Sequence, residues 1–357
     1  MPYKSHFKMG VFTFIAITLS GFLCFAGLEI TLRLSNASHI TPGFLKTHPE
    51  RRYELRPNFA GKTYDVPFIT NSHGLRDFER NISTGDDAYR IGIYGDSLTM
   101  GVGVNMTDTY PKVLETTLNE WSQTPIQVFN FGVNGYNTVM EHIYIKDSYA
   151  EFKPHMIIIE LAVGGDTVLT TPPGSFEQSN KYSILRALKD LLRYTHSYHW
   201  LSAKYHNFMF NLDSKGRKTS SENAKFWDTR VLFDDHYQGW IEAQQAYKNI
   251  FEFCKEKNIT LMFVLYASTK KFSPKLEEDF FYPAIQKVAE AVSSSNIKNT
   301  ILIDDIFRPY FKNKEILWVK PKDYHLSTFA HKLVGQKLFD YITEKKLITF
   351  DDFFPNL

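Results

Sequence analysis

From about residue 88 onward, short apolar runs alternate with longer amphipathic ones, and that rhythm organises most of the chain. Ile91–Tyr94, Ile126–Phe131, Met156–Leu161, Thr260–Leu265 and Thr300–Ile303 have the length and the β-branched and aromatic content of strands. Met156–Leu161 reads as a continuous apolar run between Pro154 and Gly164, the pattern of a strand covered on both faces. Between the strands, Tyr110–Trp121 repeats apolar residues at Val113, Leu114, Leu118 and Trp121, the spacing of a helix. Residues 137–151, Tyr282–Val292 and Thr328–Ile342 read as further helices. Strand and helix in strict alternation predict an α/β domain, a parallel sheet with helices on both faces, over residues 88–350.

Two stretches break the rhythm. Residues 35–87 hold Pro42, Pro57, Pro67, Gly61, Gly74 and many polar side chains, and read as a polar connector or cap with little regular structure. Within them Asn71-Ser-His-Gly-Leu-Arg-Asp77 reads as a turn that caps the main domain. Residues 173–245 read as a mostly helical insertion: Leu185, Leu188, Leu191 and Leu192 share one helical face, and Tyr194, Tyr198, His199 and Trp200 follow. Packing is the simpler role for that insertion, and a substrate wall or lid the more specific one.

The N-terminus (1–34) has a different character. Met9 to Leu28 is a run of 20 residues without a charge. As a helix it would be about 30 Å long, the thickness of a bilayer core. Lys4 and Lys8 precede it with no acidic residue among them, which favours a cytoplasmic tail and an exported remainder. The run is longer than an ordinary signal core, so an uncleaved anchor is the expectation. Cleavage near Ser35-Asn-Ala37, giving a secreted or periplasmic protein, is the alternative.

Composition narrows the classes. Lys+Arg number 41 against 39 Asp+Glu, so no basic excess points to nucleic acid and no acidic excess to disorder. Two cysteines, Cys24 and Cys254, exclude a disulfide framework and a cysteine-rich metal site. The acidic pairs Asp304-Asp305 and Asp234-Asp235-His236 lack further ligand spacing. Gly101-Val-Gly103 is too sparse to cradle a phosphate, so neither a metal nor a cofactor is expected.

The candidate chemistry lies at the two ends of the α/β region. Arg90-Ile-Gly-Ile-Tyr-Gly-Asp-Ser-Leu-Thr99 is a strand that stops at a Gly-Asp-Ser turn, which projects a serine hydroxyl above the sheet edge. Lys322-Asp-Tyr-His-Leu326 supplies a carboxylate and an imidazole just before the last helix. Together these are the parts of a serine nucleophile system.

Over residues 88–345 the chain resembles the SGNH (GDSL) hydrolase superfamily, and its order of segments is similar to the membrane-anchored bacterial branch. The resemblance implies a three-layer, flavodoxin-like, doubly wound parallel sheet. Its first block matches as Gly95-Asp96-Ser97-Leu98, which implies Ser97 as nucleophile and its N–H as an oxyanion donor. The second matches as Asn130-Phe-Gly-Val-Asn-Gly-Tyr136. Gly135 is implied there as a second donor, and Gly132 as a turn residue. The third departs from the family: Ala162-Val-Gly-Gly-Asp-Thr167 puts Gly165 where an oxyanion-binding asparagine is usual. Gly165 could offer its own N–H, or Asn134 or Asn137 could take the place. The fourth, Asp323-Tyr324-His325, implies His325 as general base and acid and Asp323 as its orienting carboxylate, with His331 a helix-surface or capping residue.

The implied activity is that of a serine esterase, acting through an acyl-serine on acyl, for instance acetyl, esters of envelope carbohydrate or lipid. O-acetyl transfer to an envelope polysaccharide by the same site is an alternative, and a catalytically impaired module, given Gly165, is another. The implied partners are that ester substrate and the membrane, the latter through residues 9–28.

Overall fold

A computed structural model describes residues 3–35, 41–80, 82, 88–163, 191–192, 194–198, 200–201, 204, 232–267, 273–279, 281–319 and 325–348. Met1–Gly43 with Ser179–Lys218 form one compact unit, and Phe44–Gln178 with Thr219–Leu357 form another.

In the first unit, α1 (Tyr3–Leu34) is apolar around its circumference, and its segment Val11–Leu34 is long and apolar enough to cross a membrane. Glu29 follows directly after the charge-free run. Its carboxylate accepts the backbone N–H of His196 at 3.1 Å and of Ser197 at 2.8 Å, together with the Ser197 hydroxyl, and so caps the helical turn that starts there. Most of the insertion expected at 173–245 lies outside the described residues. Its expected end does not hold, because residues 238–245 already belong to a helix that flanks the sheet.

The second unit begins with a finding that the sequence did not announce. Part of the stretch expected to be an irregular connector forms two antiparallel hairpins, β1 (Leu45–His48) with β2 (Arg52–Leu55) and β3 (Ala60–Thr63) with β4 (Val66–Ile69). The strands are four residues each, too short for a clear period-two pattern. They hold because Phe44, Phe59 and Phe68 pack edge-to-face at their base, with Phe68 wholly buried.

The sheet that follows is wholly parallel. Its strands are β5 (Tyr89–Gly95), β6 (Ile126–Gly132), β7 (Met156–Ala162), β8 (Thr260–Tyr266) and β9 (Asn299–Leu302), in the spatial order β6-β5-β7-β8-β9. This is a doubly wound order, the chain starting near the centre and growing first one way and then the other. Alternate residues feed two separate cores. Ile91, Ile93, Met156, Ile158, Met262 and Val264 face α3 (Tyr110–Trp121) and a C-terminal helix. Tyr94, Ile157, Ile159, Phe263 and Leu265 face α4 (Thr138–Phe152), α5 (Gln238–Glu256) and α6 (Tyr282–Ser294). The result is the three-layer α/β/α architecture that the alternation predicts. A one-turn helix, α2 (Ser97–Met100), lies directly after β5, and α7 (Asp304–Phe307) and α8 (Thr328–Glu344) complete the described helices.

Two buried side chains in this frame accept backbone N–H groups of distant elements. His331 on α8 is buried, not on the surface, and its Nδ1 accepts the N–H of Tyr110, the first residue of α3, at 3.1 Å. Burial pushes the His331 imidazole down to about 3, so it stays neutral in that role. Asp304, at the start of α7, accepts the N–H of Ala267 at 2.7 Å, and burial pushes its carboxyl up to about 7. A carboxyl raised on folding keeps its proton in the native state after the unfolded chain has lost it. Its contribution to stability is therefore full below about pH 4 and is lost as pH rises through about 7. Asp304→Asn retains an acceptor without the ionisation. It is expected to gain on the order of 3–4 kcal/mol relative to wild type between pH 4 and 8. Urea unfolding of both proteins at several pH values measures that difference.

Candidate active site

Ser97 stands where β5 ends, at the first position of α2. Asp96 caps α2, its Oδ1 accepting the Leu98 N–H at 2.7 Å, which fixes the turn. The close seat of this turn depends on Gly132 at the end of β6. A Cβ there would lie 2.2 Å from the Met100 nitrogen and 2.6 Å from the Thr99 carbonyl carbon. Gly132 is thus a strand residue at a backbone-to-backbone contact, where a simple turn residue was expected.

His325 arrives from the other end of the chain. The segment before α8 is pinned by an antiparallel bridge between Trp318 and Leu326, and Val319 N–H donates to the His325 carbonyl at 3.0 Å. Ser327 caps α8, accepting the Ala330 N–H at 3.2 Å. These contacts bring His325 Nε2 to 3.0 Å from Ser97 Oγ across 228 positions of sequence. With the ring protonated at Nδ1, the serine hydroxyl donates to Nε2, the arrangement a general base requires.

Gly135 lies in the turn after β6 and adopts φ +73, a left-handed conformation open to glycine. Among the described residues, none accepts the N–H of Ser97 or of Gly135. Ser97 N–H is free because it is the first residue of a helix. Asn137, one of the substitutes for the missing family asparagine, has its Oδ1 committed to the Met140 N–H at 3.0 Å as the N-cap of α4. Asp323 and Gly165, expected as orienting carboxylate and third donor, lie outside the described residues.

Several site residues carried no readable signal. Glu160 interrupts the apolar run of β7 and is buried, with Oε2 3.3 Å from the Thr99 hydroxyl and 3.4 Å from the Asp96 N–H. Glu141 of α4 is buried, with neither carboxyl oxygen hydrogen-bonded among the described residues. Burial first, and the neighbouring Asp96 charge second, hold both carboxyls well above the usual range, toward the neutral acid. Burial also raises Asp96, against the pull of the Leu98 N–H and of His325.

The hairpins reach the same place. Arg76 is fully buried, and its guanidinium donates to the carbonyls of Met100 at the end of α2, of Gly101 and Val104 in the loop after it, and of Pro67. Asp77 takes the Asn130 N–H of β6 at 3.1 Å and pairs with Lys112 at 2.6 Å. The Tyr53 hydroxyl of β2 donates to the Gly135 carbonyl at 3.1 Å, and the Tyr64 ring lies 5.9 Å from the His325 ring. The Asn71–Asp77 turn thus contacts α2, the loop after it and β6 through Arg76 and Asp77.

No family model matches the chain. An uncharacterized protein of Mycoplasma pneumoniae is 24% identical over 265 residues, 72% of this chain. The chain spans about a quarter of that relative's length, 27%. Similar solved structures include esterase EstA from Pseudoalteromonas sp., at 10% identity and TM-score 0.41, covering 72% of this chain and 98% of that one. The acetyl xylan esterase AlAXEase has 14% identity and TM-score 0.42, over 71% and 99%. A two-domain esterase active on acetylated mannans has 13% identity and TM-score 0.43, over 73% and 50%.

Proposed function

We propose that this chain is a serine ester hydrolase of the SGNH type, tethered by α1 and exposing its α/β unit on the extracytoplasmic side of a membrane. The observation that carries the reading is the 3.0 Å approach of Ser97 Oγ to His325 Nε2.

In this reading Ser97 Oγ attacks an ester carbonyl carbon while its proton passes to His325 Nε2. The carbonyl oxygen becomes an oxyanion and turns to the N–H groups of Ser97 and Gly135. Fixed backbone donors of this kind are each worth about 10²–10³ in rate. Collapse breaks the bond to the leaving alkoxide, which takes the proton from His325. Water then attacks the acyl-serine by the same route, and the carboxylic acid leaves with Ser97 restored. Asp323 fits the role of holding the His325 tautomer, two positions along the chain. Outward exposure makes acyl, for instance acetyl, esters of envelope saccharide or lipid the fitting substrates.

Fluorophosphonate probes label only an activated serine. The wild-type protein is expected to label and Ser97→Ala to remain unlabelled on a fluorescent gel. Equal labelling of the two would remove Ser97 as the nucleophile.

A further inference from the structure

Tyr64 sits where a tyrosine is uncommon. Thr63 and Val66 pair directly, so Tyr64 and Asp65 form a two-residue hairpin loop. Both have positive φ, +50 and +69, which is the type I′ geometry. That loop favours asparagine and glycine, because a Cβ with a bulky extension is poorly tolerated there. A tyrosine in the first place works against the turn. It is nevertheless held firmly. The Thr63 hydroxyl accepts the Gly103 N–H at 3.4 Å, and Lys62 pairs with Asp65 at 3.1 Å. The base of the hairpin is locked by Phe68 and by the Arg76 guanidinium 5.0 Å over its ring.

What the strained residue gains is its position. Its ring centroid is 5.9 Å from that of His325, inclined at 51°. The imidazole is thus bounded by the Tyr64 ring in addition to the serine it addresses. The hairpin is anchored to the loop after α2, which carries Ser97, while His325 comes from the segment before α8. Tyr64 therefore ties the frame of the nucleophile to that of the base. Strain retained at a residue that contacts the base of a reactive pair points to a task in the reaction, since the turn alone would be better served by another side chain.

We infer that Tyr64 is a positioning residue, whose ring keeps the His325 imidazole aimed at Ser97. The inference rests on the serine hydrolase reading above. It assigns work to a segment N-terminal to the α/β region that composition marks as a connector.

The strain supplies a test that separates this role from a structural one. In the full-length protein, Tyr64→Gly removes the ring and relaxes the turn. Labelling by the fluorophosphonate probe is expected to slow about tenfold across pH 5 to 9 while the unfolding midpoint stays level or rises. Tyr64→Phe keeps the ring and is expected to label within about twofold of wild type. Asp65→Gly relaxes the neighbouring position and gives up the exposed Lys62 pair without touching the ring, and its labelling is expected to match wild type. Wild-type labelling by Tyr64→Gly overturns the inference. So does equal slowing in Tyr64→Gly and Asp65→Gly, or a fall in midpoint that accompanies the slowing. A wild-type protein that never labels, or a Ser97→Ala protein that labels equally, sinks the serine reading itself and is recognisable as that.

Discussion

His325→Ala is expected to lower kcat for p-nitrophenyl acetate by about 10⁴- to 10⁶-fold, with the circular dichroism spectrum unchanged. In serine systems of this kind, the base and the nucleophile act as one unit, and removing either costs almost as much as removing both. The double variant Ser97→Ala/His325→Ala is accordingly expected to be no slower than either single one. Spectrophotometric release of p-nitrophenol measures all three. A loss below about tenfold in His325→Ala would mean that the 3.0 Å approach to Ser97 has no part in the reaction.

The second large effect concerns packing. Gly132→Ala would place a methyl group 2.2 Å from the Met100 nitrogen and within 3 Å of the Thr99 carbonyl carbon, both backbone atoms with no rotamer to yield. Either β6 or α2 has to move. Overpacking of a buried contact commonly costs about 1–3 kcal/mol, and a clash with main chain lies at or above the top of that range. An expected loss of about 3 kcal/mol or more would appear as an earlier midpoint in urea. Because α2 carries Ser97, fluorophosphonate labelling of the folded variant is expected to fall as well. A variant as stable and as reactive as wild type would show that the close contact is not maintained in solution.

The parts legible in the sequence are those with a repeating physical cause. Strands β5 to β9 declare themselves because a doubly covered strand must be apolar throughout, and the flanking helices because one face must be. Ser97 and His325 were legible through their places, one after the first strand and one before the last helix. The hairpins were not, since four-residue strands carry too few positions to establish a period. Glu160 was hidden because a single acid in the run Met156–Leu161 hardly alters its apolar character. Arg76 and Asp77 were read only as parts of a turn, since nothing in their neighbours reports that their partners are Gly101, Val104, Lys112 and Asn130. His331 was read as a helix-surface or capping residue; it is buried and caps another helix, which its neighbours do not report. Its partner, the end of α3, lies 221 positions away.

The 228 positions between Ser97 and His325 also set a timetable. At ribosomal speeds of about 5–20 residues per second, the alcohol precedes its imidazole by roughly 10–45 s. Throughout that delay the growing polypeptide carries a hydroxyl with nothing to deprotonate it. On the serine ester hydrolase reading, a copy that stops before His325 would lack the base and be inert toward esters.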